Sequence, residues 1–308
     1  MTGFRHRSIL RSDRVVLAVA LLTAAVWISP SARASSAADG ALLMTVFDSA
    51  GAPIRDLTTK EFLVREDGID RVVTGAKLST DPMTVAVLID TSQPRQGAPS
   101  TATEMRAGVG AFISTMLAAN AATQIGLMEF AGAAVMTVKY TSDAEALDKT
   151  ARRLFPSQRS NAVLLEALVD VSKSIRKLPA RRAIVSLDFS SQESSETPVQ
   201  TVANEIRQSG ATYWAVSILA GGGAPGASDQ RDTNNARDLI LSRIPEASGG
   251  MRLTAVTNTS VEMLMKRVAA CLTSQYVVTY TRPDGPPAKV VQATATRGEK
   301  VAFAPLTK

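Results

Sequence analysis

The stretch Met83–Pro94, MTVAVLIDTSQP, constrains the fold more than any other part of this 308-residue chain. Five of the six residues from Val85 to Asp90 are apolar, and the run stops abruptly at Asp-Thr-Ser. A short apolar run that ends at a polar turn is typical of a strand buried on both faces of a parallel sheet. In such sheets, ligands lie outside the carboxyl ends of the strands. The sequence therefore predicts a functional site at Asp90 and Ser92.

The Asp-x-Ser pair at this strand end predicts a divalent cation as the ligand. Residues i and i+2 of an extended chain share a side, so Asp90 and Ser92 offer two hard oxygen atoms at one place. Carboxylate and hydroxyl oxygens suit Mg²⁺ or Mn²⁺.

Residues 83–274 alternate between short apolar strands and helical patterns, which predicts an α/β domain. Both flanks are rich in strands instead. Residues 41–80 predict an N-terminal β-rich module, and residues 275–308 predict C-terminal strands, with Tyr276–Thr281 pairing with Ala288–Arg297 around Pro283–Pro287. Neither flank is long enough to bury a core alone, so we expect the two to pack together as one small module.

The N-terminus has the pattern of a secretory signal peptide. Four arginines precede the apolar run Val15–Ile28, and Ala32-Arg33-Ala34 forms an A-x-A cleavage site. The run is shorter than the ~20 residues of a spanning helix. We therefore expect residues 1–34 to be a signal peptide cut after Ala34, and the protein to be secreted or periplasmic, without a stable membrane span. An uncleaved anchor is the alternative.

Composition after Ala34 limits the function classes. Residues 1–34 hold five of the 34 basic and one of the 28 acidic residues, which leaves a net charge of +2 and no indication of nucleic-acid binding. The single histidine, His6, also lies in this segment. A chain without histidine cannot build a Ser-His-Asp site, so we expect no catalytic residues and no enzyme activity. Cys271 follows a helical apolar pattern, which predicts a buried, inert thiol.

Two segments resemble a known family. VLIDTSQP resembles the first strand and metal-site loop of von Willebrand factor A (VWA) domains, whose pattern is Asp-x-Ser-x-Ser, with Pro94 at the place of the second Ser. The earlier phrase VFDSAGAPIRDLTTKEFLVREDG is similar to the segment before the A domain in the VWFA-related bacterial proteins first grouped from acidobacteria. The resemblance spans residues 43–280. It implies a doubly wound, mostly parallel, Rossmann-like sheet with an antiparallel edge hairpin and a small flanking β module.

The resemblance also implies how the metal site is completed. The family places a Thr in a second loop, where this chain has Ser160 and Asn161, and a Thr-Asp-Gly in a third loop, where it has Asp188-Phe189-Ser190. Ser160 or Asn161 replaces the missing Thr oxygen or caps the helix that follows. The predicted ligands are Asp90, Ser92 and Asp188 with Ser160 or Asn161. They form a degenerate metal site that holds Mg²⁺ or Mn²⁺ with affinity on the order of millimolar.

The function implied by the resemblance is adhesion to, or interaction with, another extracytoplasmic protein. A structural envelope protein with a vestigial metal site is the alternative. A hydrolytic enzyme is disfavoured, because no general base accompanies the serine. The Gly-rich loop Ala220–Asn235 is a second candidate contact surface. It lacks Gly-Lys-Ser/Thr and so is not a phosphate loop.

Overall fold

The computed structural model describes residues 38–93, 101–157, 159–179, 181–219, 228–283 and 285–306. The predicted signal peptide, Pro94 and the first half of the Gly-rich loop lie outside these ranges.

The described chain contains strands at both ends and an α/β series between them. The strands are β1 Ala38–Phe47, β2 Phe62–Glu66, β3 Ile69–Arg71, β4 Val73–Leu78, β5 Thr84–Ile89, β6 Gln124–Ala131, β7 Ala133–Thr141, β8 Arg182–Asp188, β9 Thr212–Ile218, β10 Arg252–Ala255, β11 Tyr276–Arg282, β12 Val291–Ala295 and β13 Lys300–Pro305. The helices are α1 Ala102–Ala119, α2 Ala144–Ala151, α3 Leu164–Ile175, α4 Val199–Ser209, α5 Ser228–Ala247 and α6 Val261–Leu272. One turn of 3-10 helix, Thr59–Glu61, precedes β2 and begins with the predicted cap at Thr58.

Six strands form the central sheet in the order β10-β9-β8-β5-β6-β7. All neighbours are parallel except β6 and β7, which form the antiparallel edge hairpin. The strand that the apolar run predicts, β5, lies inside the sheet between β8 and β6, and all its residues are buried. The prediction of a doubly wound, mostly parallel α/β fold is confirmed.

Alternate residues of β5 point into two separate cores. Val85, Val87 and Ile89 pack with apolar side chains of α1, α2 and α6. Ala86 and Leu88 pack with those of α3, α4 and α5. A strand covered by helices on both faces requires an unbroken apolar run, which explains the sequence of β5. Trp214 on β9 is fully buried in the first core.

The remaining seven strands form a β-sandwich from the two ends of the chain. One sheet has the order β13-β1-β11-β4 and the other β12-β2-β3. Strand β1 lies between two C-terminal strands, because it pairs antiparallel with both β11 and β13. The inner faces of both sheets share a core that includes Met44, Phe62 and Val278.

Two local predictions differ from the structure, and the N-terminal strands divide between two sheets. The chain changes sheet at Val72, so that β3 pairs with β2 whereas β4 pairs with β11 in the opposite sheet. The predicted β11–β12 hairpin is wrong, since β12 pairs with β2. The segment predicted as the Gly-rich loop Ala220–Asn235 is helical from Ser228, where α5 begins.

The sandwich contacts the α/β domain through polar and close backbone contacts. The Arg267 side chain on α6 donates from Nε to the Gly51 carbonyl (3.1 Å) and from Nη2 to the Ala50 carbonyl (3.0 Å). Gly249 lies against the backbone of Phe303 in β13, where a Cβ atom would come within 2.4 Å of the Phe303 carbonyl oxygen. No helix in the described ranges has the length and apolar character needed to cross a membrane.

Candidate functional site

The candidate site lies where β5 and β8 end side by side. The two strands pair in parallel with Ile89 opposite Leu187, so the next residues, Asp90 and Asp188, leave the sheet together. The Asp90 N–H donates to the Leu187 carbonyl at 2.9 Å and continues the ladder to the strand end. The parallel register therefore brings two acidic residues, 98 positions apart in sequence, to the same edge.

Both carboxylate oxygens of Asp90 accept hydrogen bonds. Asp90 Oδ1 accepts from the Ser92 backbone N–H at 3.1 Å and from the Ser92 hydroxyl. Asp90 Oδ2 accepts from the Phe189 N–H at 3.1 Å. Asp90 and Ser92 are both buried. The carboxylate thus fixes its own loop and, across the sheet, the loop after β8.

Asp188 is fully buried, and only one of its oxygens is satisfied within the described residues. Oδ1 accepts from the Ser190 N–H at 3.1 Å, whereas Oδ2 has no hydrogen-bond partner there. Ser190 has a positive φ of 55°, and its hydroxyl donates to the Ile218 carbonyl at 2.8 Å. Burial raises the pKa of Asp188 to about 6; the positive charge of Arg237 opposes this shift, and the negative charge of Asp90 adds to it.

The second predicted loop lies at the same edge but contributes mainly backbone carbonyl groups, which accept hydrogen bonds. The Ser160 carbonyl accepts from the Gln93 N–H at 2.7 Å, and the Asn161 carbonyl accepts from the Gly132 N–H at 2.7 Å. The Ser160 hydroxyl is buried without a hydrogen-bond partner in the described chain. Neither residue caps the next helix, because α3 begins at Leu164 with Val163 at its N-cap.

A distant residue, Glu193, caps α3 instead. Its Oε2 accepts from the Leu164 N–H at 3.3 Å, and the Ser195 hydroxyl accepts from the Leu165 N–H at 3.2 Å. Its Oε1 accepts from the Ser195 N–H (3.1 Å) and hydroxyl. Burial raises the pKa of Glu193 to about 7, although these hydrogen bonds oppose the shift.

The segment from Ser190 to Thr197 is polar in sequence, yet alternate side chains from Ser191 onward are buried. Ser191, Glu193 and Ser195 are buried. The Glu-x-Ser spacing repeats that of Asp90 and Ser92, and this repetition is the one sequence signal that pointed to Glu193.

Arg237 on α5 is the other residue that the sequence did not indicate. Its side chain is buried, and Nη1 donates to the Ser191 carbonyl. It interacts electrostatically with Asp188, Asp238, Glu193 and Asp90. Apart from the adjacent Asp238, these partners lie more than 40 positions away, so no local pattern could single it out from the other arginines of this polar helix.

These residues do not fit a divalent cation as a ligand set. The Asp90 oxygens and the Ser92 hydroxyl are already engaged with one another and with backbone. Within the described ranges, no group of three or more His, Cys, Asp or Glu side chains is arranged to hold a metal ion. A buried guanidinium interacts with the same carboxylates, and a second cation beside it is repelled. The metal ligand set therefore stays a prediction of the sequence.

Comparisons with known proteins give likenesses of fold. No family model matches the chain, and no curated protein matches it. Similar solved structures include the conserved hypothetical protein BatB from Bacteroides thetaiotaomicron (15% identity, 61% of this chain and 97% of that chain, TM-score 0.45). An aerotolerance-related membrane protein from Bacteroides fragilis is 18% identical over 61% of this chain and 98% of that chain, with a TM-score of 0.45. A von Willebrand factor type A structure from Catenulispora acidiphila is 12% identical over 88% of this chain and 74% of that chain, with a TM-score of 0.48.

The class of fold rests on the topology itself. The mostly parallel sheet, its antiparallel edge strand β7, the helices on both faces and the Asp-x-Ser loop after β5 are the features that the resemblance implied. The central part of the chain is a VWA-type α/β domain, and a β-sandwich made from both flanks of the chain accompanies it.

Proposed function

We propose that this protein is a secreted or periplasmic interaction module that binds another extracytoplasmic protein through the carboxyl edge of its central sheet. One observation carries this proposal. At that edge, buried acidic side chains joined by hydrogen bonds lie beside a rim of exposed apolar side chains. The rim consists of Phe155, Leu219 and Val256, which are 59%, 40% and 77% exposed. Exposed apolar side chains grouped at one edge are typical of contact surfaces.

Backbone hydrogen bonds hold the segments that carry the rim residues. Two residues after Phe155, the Ser157 N–H donates to the Thr91 carbonyl at 2.7 Å. The Arg106 guanidinium lies 5.9 Å from the centre of the Phe155 ring. The Leu219 N–H donates to the Ala255 carbonyl at 2.7 Å, which places Leu219 beside Val256. A rim fixed in this way loses little conformational freedom on binding.

The arrangement favours binding over catalysis. The Ser92 hydroxyl is buried and donates to Asp90, so it faces a carboxylate inside the protein rather than a substrate. An activated nucleophile needs access to the reacting atom as well as a base. We propose a non-enzymatic role, a protein rather than a nucleic acid as partner, and binding that requires no divalent cation.

One observation favours the structural envelope protein as the second candidate. Asp90 and Asp188 are 1% and 0% exposed, so neither carboxylate is available to a partner. In this second candidate, the acid network only stabilises the fold, and the rim has no partner.

A quantitative capture experiment separates the two candidates. The chain from Ser35 onward is immobilised and exposed to extract of the native cell envelope, with and without EDTA. The test variants are Phe155→Asp and Val256→Asp. The matched control is Leu63→Asp, because Leu63 is also exposed (53%) but lies on β2 of the sandwich.

The proposal expects one captured species whose yield falls about tenfold in the rim variants, and not in the control, because a charge in an apolar contact is costly. EDTA should leave the yield unchanged. Capture that survives both rim substitutions places the contact elsewhere and overturns the proposal. Absence of any specific capture by the wild-type chain supports the structural candidate.

A further inference from the structure

The guanidinium of Arg237 is buried at the candidate site. The residue is 4% exposed, although arginine is almost never fully buried without a counter-charge. Its nearest acidic neighbour in the chain, Asp238, lies 3.5 Å away from Nε, but the Asp238 side chain is 59% exposed and well solvated. Asp238 therefore balances part of the charge of Arg237, and acidic groups inside the protein balance the rest.

Three buried carboxylates supply that charge. Asp188, Glu193 and Asp90 all attract the Arg237 guanidinium. None of them forms an ion pair within 4 Å of it in the described residues, so the attraction acts over distances longer than 4 Å. In a water-poor interior, such attraction weakens slowly with distance and is little screened by salt.

Hydrogen bonds from α5 fix the position of this charge. The Asn234 side-chain oxygen accepts from the Glu193 N–H at 3.1 Å, and the Thr233 hydroxyl donates to the Glu193 carbonyl at 2.9 Å. With the bond from Arg237 to the Ser191 carbonyl, three residues within five positions of α5 bind the loop after β8. The guanidinium therefore cannot reach solvent without breaking these contacts.

We propose that Arg237 is the resident cation of this site: its guanidinium balances the buried acids at the ends of β5 and β8, so the site keeps its shape without a metal ion. The proposal concerns the charge balance of the fold and does not depend on the interaction surface proposed above. It also accounts for the poor fit of the acids to a divalent cation, because the Arg237 side chain already supplies positive charge to these acids.

Unfolding experiments on the chain from Ser35 onward test this proposal. The variants are Arg237→Met, which removes the charge at similar size, and Arg237→Lys, which keeps it. Arg243→Met is the matched control, since Arg243 is exposed on the same helix. The wild type and each variant are unfolded with urea at neutral pH, in EDTA and in about 10 mM Mg²⁺ or Mn²⁺. This cation concentration lies well above the dissociation constant of weak oxygen sites.

The wild-type midpoint should be the same in EDTA and in either cation. Arg237→Met should lower the folding equilibrium constant at least about tenfold relative to Arg243→Met, because it leaves buried charges unpaired. The folding equilibrium constant of Arg237→Lys should lie between those of Arg237→Met and Arg243→Met. A wild-type midpoint that rises with Mg²⁺ or Mn²⁺ overturns the proposal, and so does an Arg237→Met variant as stable as the control.

A double-mutant cycle distinguishes charge balance from lost packing. Adding Asp188→Asn to Arg237→Met removes one of the acids left unbalanced, so the double variant should be more stable than Arg237→Met alone. It also provides a folded protein if the single variant fails to fold. Additive effects of the two substitutions would show that Arg237 and Asp188 are not coupled, and would refute the proposal.

Discussion

The carboxylate of Asp90 accepts a hydrogen bond from the backbone N–H of Phe189 at 3.1 Å, although 99 positions separate the two residues. This contact joins the loop after β5 to the loop after β8. The same carboxylate accepts from the N–H and hydroxyl of Ser92. A residue type typical of metal ligands thus acts here as a hydrogen-bond acceptor for two loops.

Replacement of Asp90 by Ala should therefore destabilise the fold itself. It leaves the Phe189 and Ser92 N–H groups buried without acceptors, at a cost of about 3 kcal/mol in the free energy of unfolding. Relief of repulsion from Asp188 offsets part of this cost. Urea unfolding measures the difference. Asp148→Ala is the control, because its salt bridge with Arg152 is exposed and should contribute less than about 0.5 kcal/mol. Equal midpoints for both variants would contradict the assigned role of Asp90.

Glu193 makes stability depend on pH. Burial raises its pKa from an ordinary 4.5 to about 7, so the folded state binds the proton more tightly than the unfolded state. The contribution of Glu193 to the free energy of unfolding is fully present below pH 4.5. It is lost as the pH rises through about 7, because the buried carboxyl then ionises. Glu193→Gln keeps an acceptor for Leu164 but cannot ionise.

We expect the unfolding free energy of the wild type to decline from pH 5 to pH 8, and this decline to be smaller in Glu193→Gln by up to about 3 kcal/mol. Urea titrations across this range provide the measurement. Glu196→Gln, at an exposed site in the same segment, should follow the wild type. A Glu193→Gln variant with the wild-type pH slope would show that this carboxyl does not titrate as described.

Periodicity predicted the parts of the fold that depend on local burial. The apolar run before Asp90 predicted β5, and the helical apolar pattern around Cys271 predicted its burial in α6. The partner of β12 was not predictable in the same way. An alternating pattern shows that a segment is a strand, but it carries no information on which of several edges it joins.

The candidate site was predicted where its chemistry follows from position at a strand end, as for Asp90 and Asp188. Glu193 and Arg237 were missed because their roles come from loops and helices far away in sequence. The resemblance predicts a ligand oxygen from Ser160 or Asn161, whereas in the structure the backbone carbonyls of these residues accept hydrogen bonds from Gln93 and Gly132.

Two glycines should respond to alanine in opposite directions. Gly249 has a φ of 83°, and a Cβ there would come within 2.4 Å of the Phe303 carbonyl oxygen. Gly249→Ala should cost about 2 kcal/mol or more, because the strained backbone and the clash at the sandwich add. Gly110 lies within α1 with open space around it, so Gly110→Ala should stabilise by about 0.5–1 kcal/mol. Thermal unfolding of both variants measures the contrast, and a destabilised Gly110→Ala would contradict the described helix.

The last prediction concerns the joining of the two chain ends. Strand β1 is paired on one side by β11 and on the other by β13, and β2 is paired by β12. Deleting residues 283–308 removes β12 and β13, which exposes one edge of β1 and one edge of β2. Amide hydrogens that lose their acceptors exchange faster, so protection in β1 and β2 should fall about tenfold or more. Hydrogen exchange followed by mass spectrometry gives this value for each segment.

The control is strand β5, Thr84–Ile89, which pairs with β6 and β8 and not with the deleted strands. Its protection should persist, and this persistence shows that the α/β domain is still folded. Unchanged protection in β1 together with intact β5 would mean that the C-terminal strands do not stabilise the N-terminal ones, contrary to the pairing described.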